Sequence, residues 1–204
     1  MKSALLMVDL QNDFCKGGRL AVPDGDAVIP LANQIQQKFE CIVATKDWHP
    51  ASHLSFASNH SNKKPGDSII LSGIDQILWP DHCVQESEGS DFHPQLNTTR
   101  VSQIIYKGTH PEIDSYSAFF DNGHLRETVL SEWLLAQHVT DVYVLGLATD
   151  YCVKFTCLDA VKLGFNVFII TDACRGVELH PGDCAHALQE MQQANIKLIR
   201  SKDL

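Results

Sequence analysis

The chain has 204 residues, 44% hydrophobic and 20% charged, which is enough for one full hydrophobic core and excludes a disordered polymer. Its formal net charge is −9 with no block of Lys or Arg, so it lacks the clustered cations that a nucleic-acid or anionic-membrane surface requires. The expected partner is a small molecule.

The first apolar run, residues 4–8, follows a single Lys and is broken at Asp9. It is too short for the apolar core of a signal peptide, and no stretch has the length of a membrane span. Asp26 is placed to cap a helix whose apolar face is Val28, Leu31, Ala32, Ile35 and Phe39. A second strand is predicted at 41–45. From Trp48 to Arg100 the pattern weakens into a segment rich in Ser, His, Asn, Asp and Pro, with only a brief apolar piece at 69–71. That is too little for a domain of its own, so residues 1–204 are read as a single domain with a long, functional loop insertion at about 48–100. Strands are then predicted at 103–106, 141–145, 166–171 and 196–199. Helices lie between them: 125–138, with Leu125, Val129, Leu130, Trp133 and Leu134 on one side; one following Cys152; and one from about Pro181 carrying Cys184, Ala187, Leu188 and Met191 inward. Strand alternating with helix predicts an α/β fold, an open Rossmann-like, mostly parallel six-stranded sheet with helices on both faces. The seven cysteines are an odd number without small-scaffold spacing, which fits reduced thiols and a cytoplasmic location.

Ligands in open α/β sheets bind beyond the carboxyl ends of the strands. The predicted strands end at Asp9, near Asp47, at Lys107 and at the stretch leading to Cys152, so these side chains share one edge. Cys152 lies where a strand hands over to a helix, and free N–H groups there favour an anion; a thiol at that place is expected to ionise more easily. A small buried residue is the other reading of Cys152, and this stretch alone leaves both open. If the groups meet, Asp9 can take and return the thiol proton while Lys107 supplies positive charge between them. Asp47 and His49, with His82 further on, offer one carboxylate and two imidazoles, a set suited to a divalent metal. Hydrogen-bonded loop imidazoles remain the alternative.

Five blocks carry a more specific signal: Val8-Asp9-Leu10-Gln11-Asn12-Asp13-Phe14-Cys15, Thr45-Lys46-Asp47-Trp48-His49-Pro50, Trp79-Pro80-Asp81-His82-Cys83-Val84, Tyr106-Lys107-Gly108 and Gly146-Leu147-Ala148-Thr149-Asp150-Tyr151-Cys152-Val153. In this order they resemble the nicotinamidase/pyrazinamidase family of isochorismatase-like cysteine hydrolases, over nearly the whole chain. The resemblance implies deamidation of nicotinamide to nicotinate and ammonia in NAD salvage, with Asp9, Lys107 and Cys152 as the catalytic triad. It implies Asp47, His49 and His82 as ligands of one divalent metal, Zn²⁺ foremost, with Mn²⁺ and Fe²⁺ also suited to the set. It further implies an oxyanion hole from the N–H groups of Ala148 and Cys152, and a cis peptide just before Ala148. Phe14, Trp48, Trp79 and Tyr116 are expected to wall the ring pocket, His53 is a second-rank candidate ligand, and Gln11 and Asp13 are expected to hold Asp9 and its loop. The competing readings are a metal-free relative acting on isochorismate or a carbamoyl or amide compound, and a non-catalytic binding or redox-sensing module using Cys152. The sequence leaves oligomeric state open, a homo-oligomer included.

Overall fold

The structure is a computed structural model that describes residues 2–204. In chain order its elements are β1 (Lys2–Val8), α1 (Val28–Ile35), β2 (Cys41–Asp47), a hairpin of β3 (Ser68–Leu71) and β4 (Ile74–Ile77), β5 (Gln103–Lys107), α2 (Leu130–Ala136), β6 (Val139–Leu147), α3 (Lys154–Lys162), β7 (Asn166–Arg175), α4 (Asp183–Gln193) and β8 (Lys197–Ile199). The strands outside the hairpin form one six-stranded sheet in the order β5-β2-β1-β6-β7-β8, every pair parallel. The chain starts at the centre, winds outward to β5, crosses back to β6 and continues to β8. Right-handed crossovers running in opposite directions put helices on both faces, and the order reverses between β1 and β6.

The central strands are buried almost throughout, β2 along its whole length, which is why they read as continuous apolar runs rather than alternating ones. At the reversal point β1 and β6 approach closely. Gly146 has φ +131°, and a Cβ there would collide with the Val8 backbone, so only glycine closes the gap.

Some local expectations fail for physical reasons. Asp26 does not cap α1: the helix is entered through a 3₁₀ turn, Gly25–Ala27, with Ala27 at the N-cap, and the Asp26 carboxylate accepts the Lys16 N–H at 2.8 Å instead. The helix predicted over 125–138 begins only at Leu130. Leu125 and Val129, which carried the helical spacing, are 70% and 59% exposed. The Asp121 carboxylate accepts the N–H groups of Gly123 and Leu125, and Thr128 N–H bonds the Phe119 carbonyl, so these residues form a closed loop. The 48–100 segment contains the β3–β4 hairpin, and single bridges (Gln11 with Phe92, His49 with Val84, Phe56 with Trp79) lay it across the carboxyl ends of the sheet. All seven cysteines are free. Among the described residues no helix is long and apolar enough to cross a membrane.

Candidate active site

The topology delivers the chemistry-bearing side chains to the reversal point. Asp9 is the first residue beyond β1, where the chain turns with φ +49°; Asp47 and Lys107 end the neighbouring strands β2 and β5 and pair directly; Cys152 lies in the helical turn between β6 and α3. The peptide between Leu147 and Ala148, just before that turn, is cis. Asp9 is fixed by Thr45, which accepts the Asp9 N–H at 3.0 Å and donates its hydroxyl to Asp9 Oδ1.

Lys107 is at the centre. Its Nζ approaches Asp9 Oδ2 at 2.8 Å, Asp47 Oδ1 at 3.0 Å, the Ser115 carbonyl at 3.1 Å and Cys152 Sγ at 3.4 Å, and the side chain is fully buried. Burial works against its charge, but Asp47, Asp9 and Cys152 outweigh that and hold its pKa well above the usual lysine range, so it stays protonated. Asp9 is raised above the ordinary carboxylate range by burial, with Lys107 opposing and Asp47 adding to the rise. Its Oδ2 is held only by the ion pair and has no hydrogen-bond partner among the described residues. The expectation that Cys152 ionises easily is overturned. Burial drives its pKa well above the thiol value, Lys107 lowers it only in part, and Asp9 and Asp47 push it higher. Two carboxylates and the loss of water outweigh one ammonium and a helix start, so the Cys152 thiol rests neutral, with Lys107 Nζ as its hydrogen-bonding neighbour at 3.4 Å.

Beside this trio, Asp47, His49 and His82 are all buried, with ligand atoms within 4.8 Å of one another. His49 Nδ1 donates to the Gly108 carbonyl at 2.9 Å and His82 Nδ1 to the Pro80 carbonyl at 2.7 Å, since a carbonyl can only accept. Each imidazole therefore turns its Nε2 toward Asp47 Oδ2, at 3.0 and 3.3 Å, where a neutral ring presents a lone pair. Lone pairs converging on a carboxylate repel unless a proton or a cation lies between. Burial resists a proton on His49, and the adjacent Asp47, with Asp114 adding, keeps its pKa raised. Two imidazoles with their far nitrogens held by carbonyls, plus one carboxylate, fit a divalent cation. His53 stands outside this set. Its ring lies 4.3 Å from that of His49, its Nδ1 accepts the Ser55 N–H, and burial followed by His49 pulls its pKa down to about 4.

A narrow pocket joins the two groups. Its walls are Phe14, Leu20, Trp79, Tyr116, Tyr151 and Val177, and its floor includes Asp47, His82, Asp114, Ala148 and Cys152. Phe14, Trp79 and Tyr116 are thus brought together, and Trp48 is not. Side chains alternate along an extended strand, so Trp48 points away from the face of Asp47 and His49; it packs against the Tyr106 ring at 5.2 Å, under Lys46 Nζ at 4.7 Å. Tyr151, which sequence reasoning missed, packs edge-on against Trp79 with ring centroids 4.9 Å apart. Its position directly before Cys152 was the only available signal. Gly108 was also overlooked as a site residue: it has φ +64°, and a Cβ there would collide with the His49 imidazole and approach Asp47 Oδ1 at 2.9 Å.

A parallel α/β sheet whose reversal point holds a thiol, a carboxylate and an ammonium beside an Asp/His/His set defines a hydrolase-like class of site. The chain matches the Isochorismatase domain over residues 3–203 and belongs to that family. More particularly, it is 51% identical over 204 residues to a nicotinamidase of Escherichia coli (strain K12), covering 98% of this chain and 95% of the relative. It is also similar to the solved structure of an Acinetobacter baumannii nicotinamidase/pyrazinamidase (TM-score 0.96, 48% identity, 99% and 97% of the two chains). A third similarity is to the pyrazinamidase of Pyrococcus horikoshii solved in complex with zinc (TM-score 0.79, 39% identity, 98% and 99% of the two chains).

Proposed function

We propose that this chain is an amidohydrolase that converts nicotinamide, and pyrazinamide, to the carboxylate and ammonia through a thioester on Cys152, in NAD salvage. One observation carries the reading: a single ammonium, Lys107 Nζ, touches Asp9, Cys152 and Asp47 at 2.8, 3.4 and 3.0 Å, tying nucleophile, base and cation set together.

Because the thiol rests neutral and Asp9 binds protons more readily than an exposed carboxylate, the proton moves from Sγ to Asp9 as sulfur attacks the amide carbon. Lys107 stabilises the thiolate character that develops. The amide oxygen becomes an oxyanion held by the N–H groups of Ala148 and Cys152. The carbon–nitrogen bond breaks as Asp9 returns its proton to the nitrogen, releasing ammonia and leaving the thioester. Water then attacks the thioester carbonyl, Asp9 accepts a proton from it, the carbon–sulfur bond breaks, and Cys152 is reprotonated. Phe14, Trp79, Tyr116 and Tyr151 hold the flat ring by apolar contact. When bound by Asp47, His49 and His82, a divalent cation supplies a Lewis-acid anchor for a ring nitrogen. Zn²⁺ suits this N/O donor set first, and the Pyrococcus relative was solved in complex with zinc; Mn²⁺ and Fe²⁺ suit the set as well. The free thiols suit a reducing cytoplasm as the place of the reaction.

The test is ammonia release from nicotinamide and pyrazinamide. Turnover by the cation-loaded protein, a large loss on chelation and recovery with added divalent cation are expected. No ammonia from either amide with the cation bound would reject the assignment.

A further inference from the structure

We propose that Gln11 is a positioning residue for the cation set, its side-chain amide standing in for a missing strand neighbour and fixing the Asp47 carboxylate. The pairing of β1 with β2 runs only as far as Met7 with Ala44, and beyond Val8 the chain turns away at Asp9. Asp47, the last residue of β2, is paired with Lys107 of β5 on one side and has no β1 residue on the other. Gln11 fills that gap. Its Oε1 accepts the Asp47 N–H at 2.8 Å, and its Nε2 donates to the Asp47 carbonyl at 2.8 Å and to the Ser90 carbonyl at 2.9 Å.

The geometry explains the residue type. A primary amide is the neutral side-chain end that combines an acceptor with two donors, and here all three are used in a fully buried place. Glutamate would keep the acceptor and lose both donors, while methionine would keep the volume and lose everything polar. Toward Asp9, Gln11 offers only its backbone N–H, donated to the Asp9 carbonyl at 2.9 Å; the Asp9 carboxylate is held by Thr45, and the Gln11 side chain holds the neighbouring loop. Its hold on Asp47 matters because the Asp47 carboxylate has two faces, Oδ1 toward Lys107 and Oδ2 toward His49 and His82. The third bond, to Ser90, ties the same point to the 48–100 segment that carries His82. Two residues on, Asp13 Oδ2 accepts the N–H of Cys83, directly beside His82, at 2.7 Å. The turn after β1 thus grips both parts of the cation set from behind. Partners that orient metal ligands in this way typically contribute about 10–100-fold to affinity.

This inference rests on reading Asp47, His49 and His82 as cation ligands, and the experiment separates the two claims. Zn²⁺ and Co²⁺ affinities are measured by chelator competition on the full chain as wild type, Gln11→Glu, Gln11→Met and Asp47→Asn, with the visible spectrum of the Co²⁺ forms recorded. Wild type is expected to load the cation and Asp47→Asn to lose it. Both Gln11 variants are expected to bind about 10–100-fold more weakly with a shifted Co²⁺ spectrum, and to regain turnover of nicotinamide at saturating cation. Thermal unfolding of the chelated proteins establishes that the variants are folded; should Gln11→Met fail to fold, Gln11→Glu carries the test. Wild-type affinity and an unshifted spectrum in Gln11→Glu overturn the positioning role. A wild type that loads no cation overturns the reading beneath it.

Discussion

Replacing Lys107 with methionine, which keeps the apolar stem and removes the ammonium, is the most demanding test of the site. The wild-type Nζ neutralises two carboxylates whose side chains are 0% and 5% exposed, at 2.8 and 3.0 Å. Removing one partner of such a buried pair costs about 3–5 kcal/mol, because the other charge is left without water or a counter-charge; for a chain of this length that lowers Tm by roughly 6–20 °C. The loss should depend on pH. Burial already raises Asp9 despite Lys107, and without the ammonium its folded pKa rises further. A carboxylate whose folded pKa lies above the unfolded value binds more protons in the native state. Its contribution is therefore present in acid and disappears as pH rises through the folded pKa. The variant should be weakest at mildly alkaline pH and recover toward wild type in mild acid. Thermal unfolding of both proteins at the two pH values, with chelator present so that cation loading adds nothing, measures this directly. Turnover should fall by about 10²–10⁴, the size of a general acid–base contribution. A variant within roughly a degree of wild type at both pH values, or one with near-normal ammonia release, would refute the reasoning.

Cys152→Ala should abolish ammonia release while the unfolding transition persists, and retained turnover would remove the thiol from the mechanism. The acid limb of kcat/KM should lie above the ordinary carboxylate range, since Asp9 must be unprotonated to act as base and burial raises its pKa; a limb at the value of an exposed aspartate would contradict this. Gly108→Ala should weaken cation binding, because the added Cβ meets the His49 imidazole, and unchanged loading by metal analysis would show that the loop relaxes. Trp79→Ala should raise KM for nicotinamide strongly and Trp48→Ala should leave it nearly unaltered; equal effects would place the ring elsewhere than in the pocket described.

Much of the architecture was legible from the chain. Ala4 to Val8 and Cys41 to Thr45 are unbroken buried runs because a parallel strand covered on both faces has no solvent side to encode, and the six sheet strands fall close to their predicted places. Asp9, Asp47 and Lys107 were recognisable because each stands at or just beyond the end of such a run. Other features had no local signature. Leu125 and Val129 carry helical spacing, yet Asp121 closes a loop there and leaves both in water. The place of Trp48 depends on which way the chain leaving β2 turns toward the site.

The amino-acid order by itself determined which segments become strands and which reactive groups end them, because apolar period and chain-breaking polar residues act over a few positions. Only the tertiary structure decided what those groups are. Burial between two carboxylates keeps Cys152 a neutral thiol, convergence on one carboxylate oxygen brings His49 and His82 together as a candidate cation set, and the early end of β1 gives Gln11 a backbone to hold. Each outcome depends on desolvation and charge spacing between residues far apart in the chain, and those distances exist only once the sheet has formed.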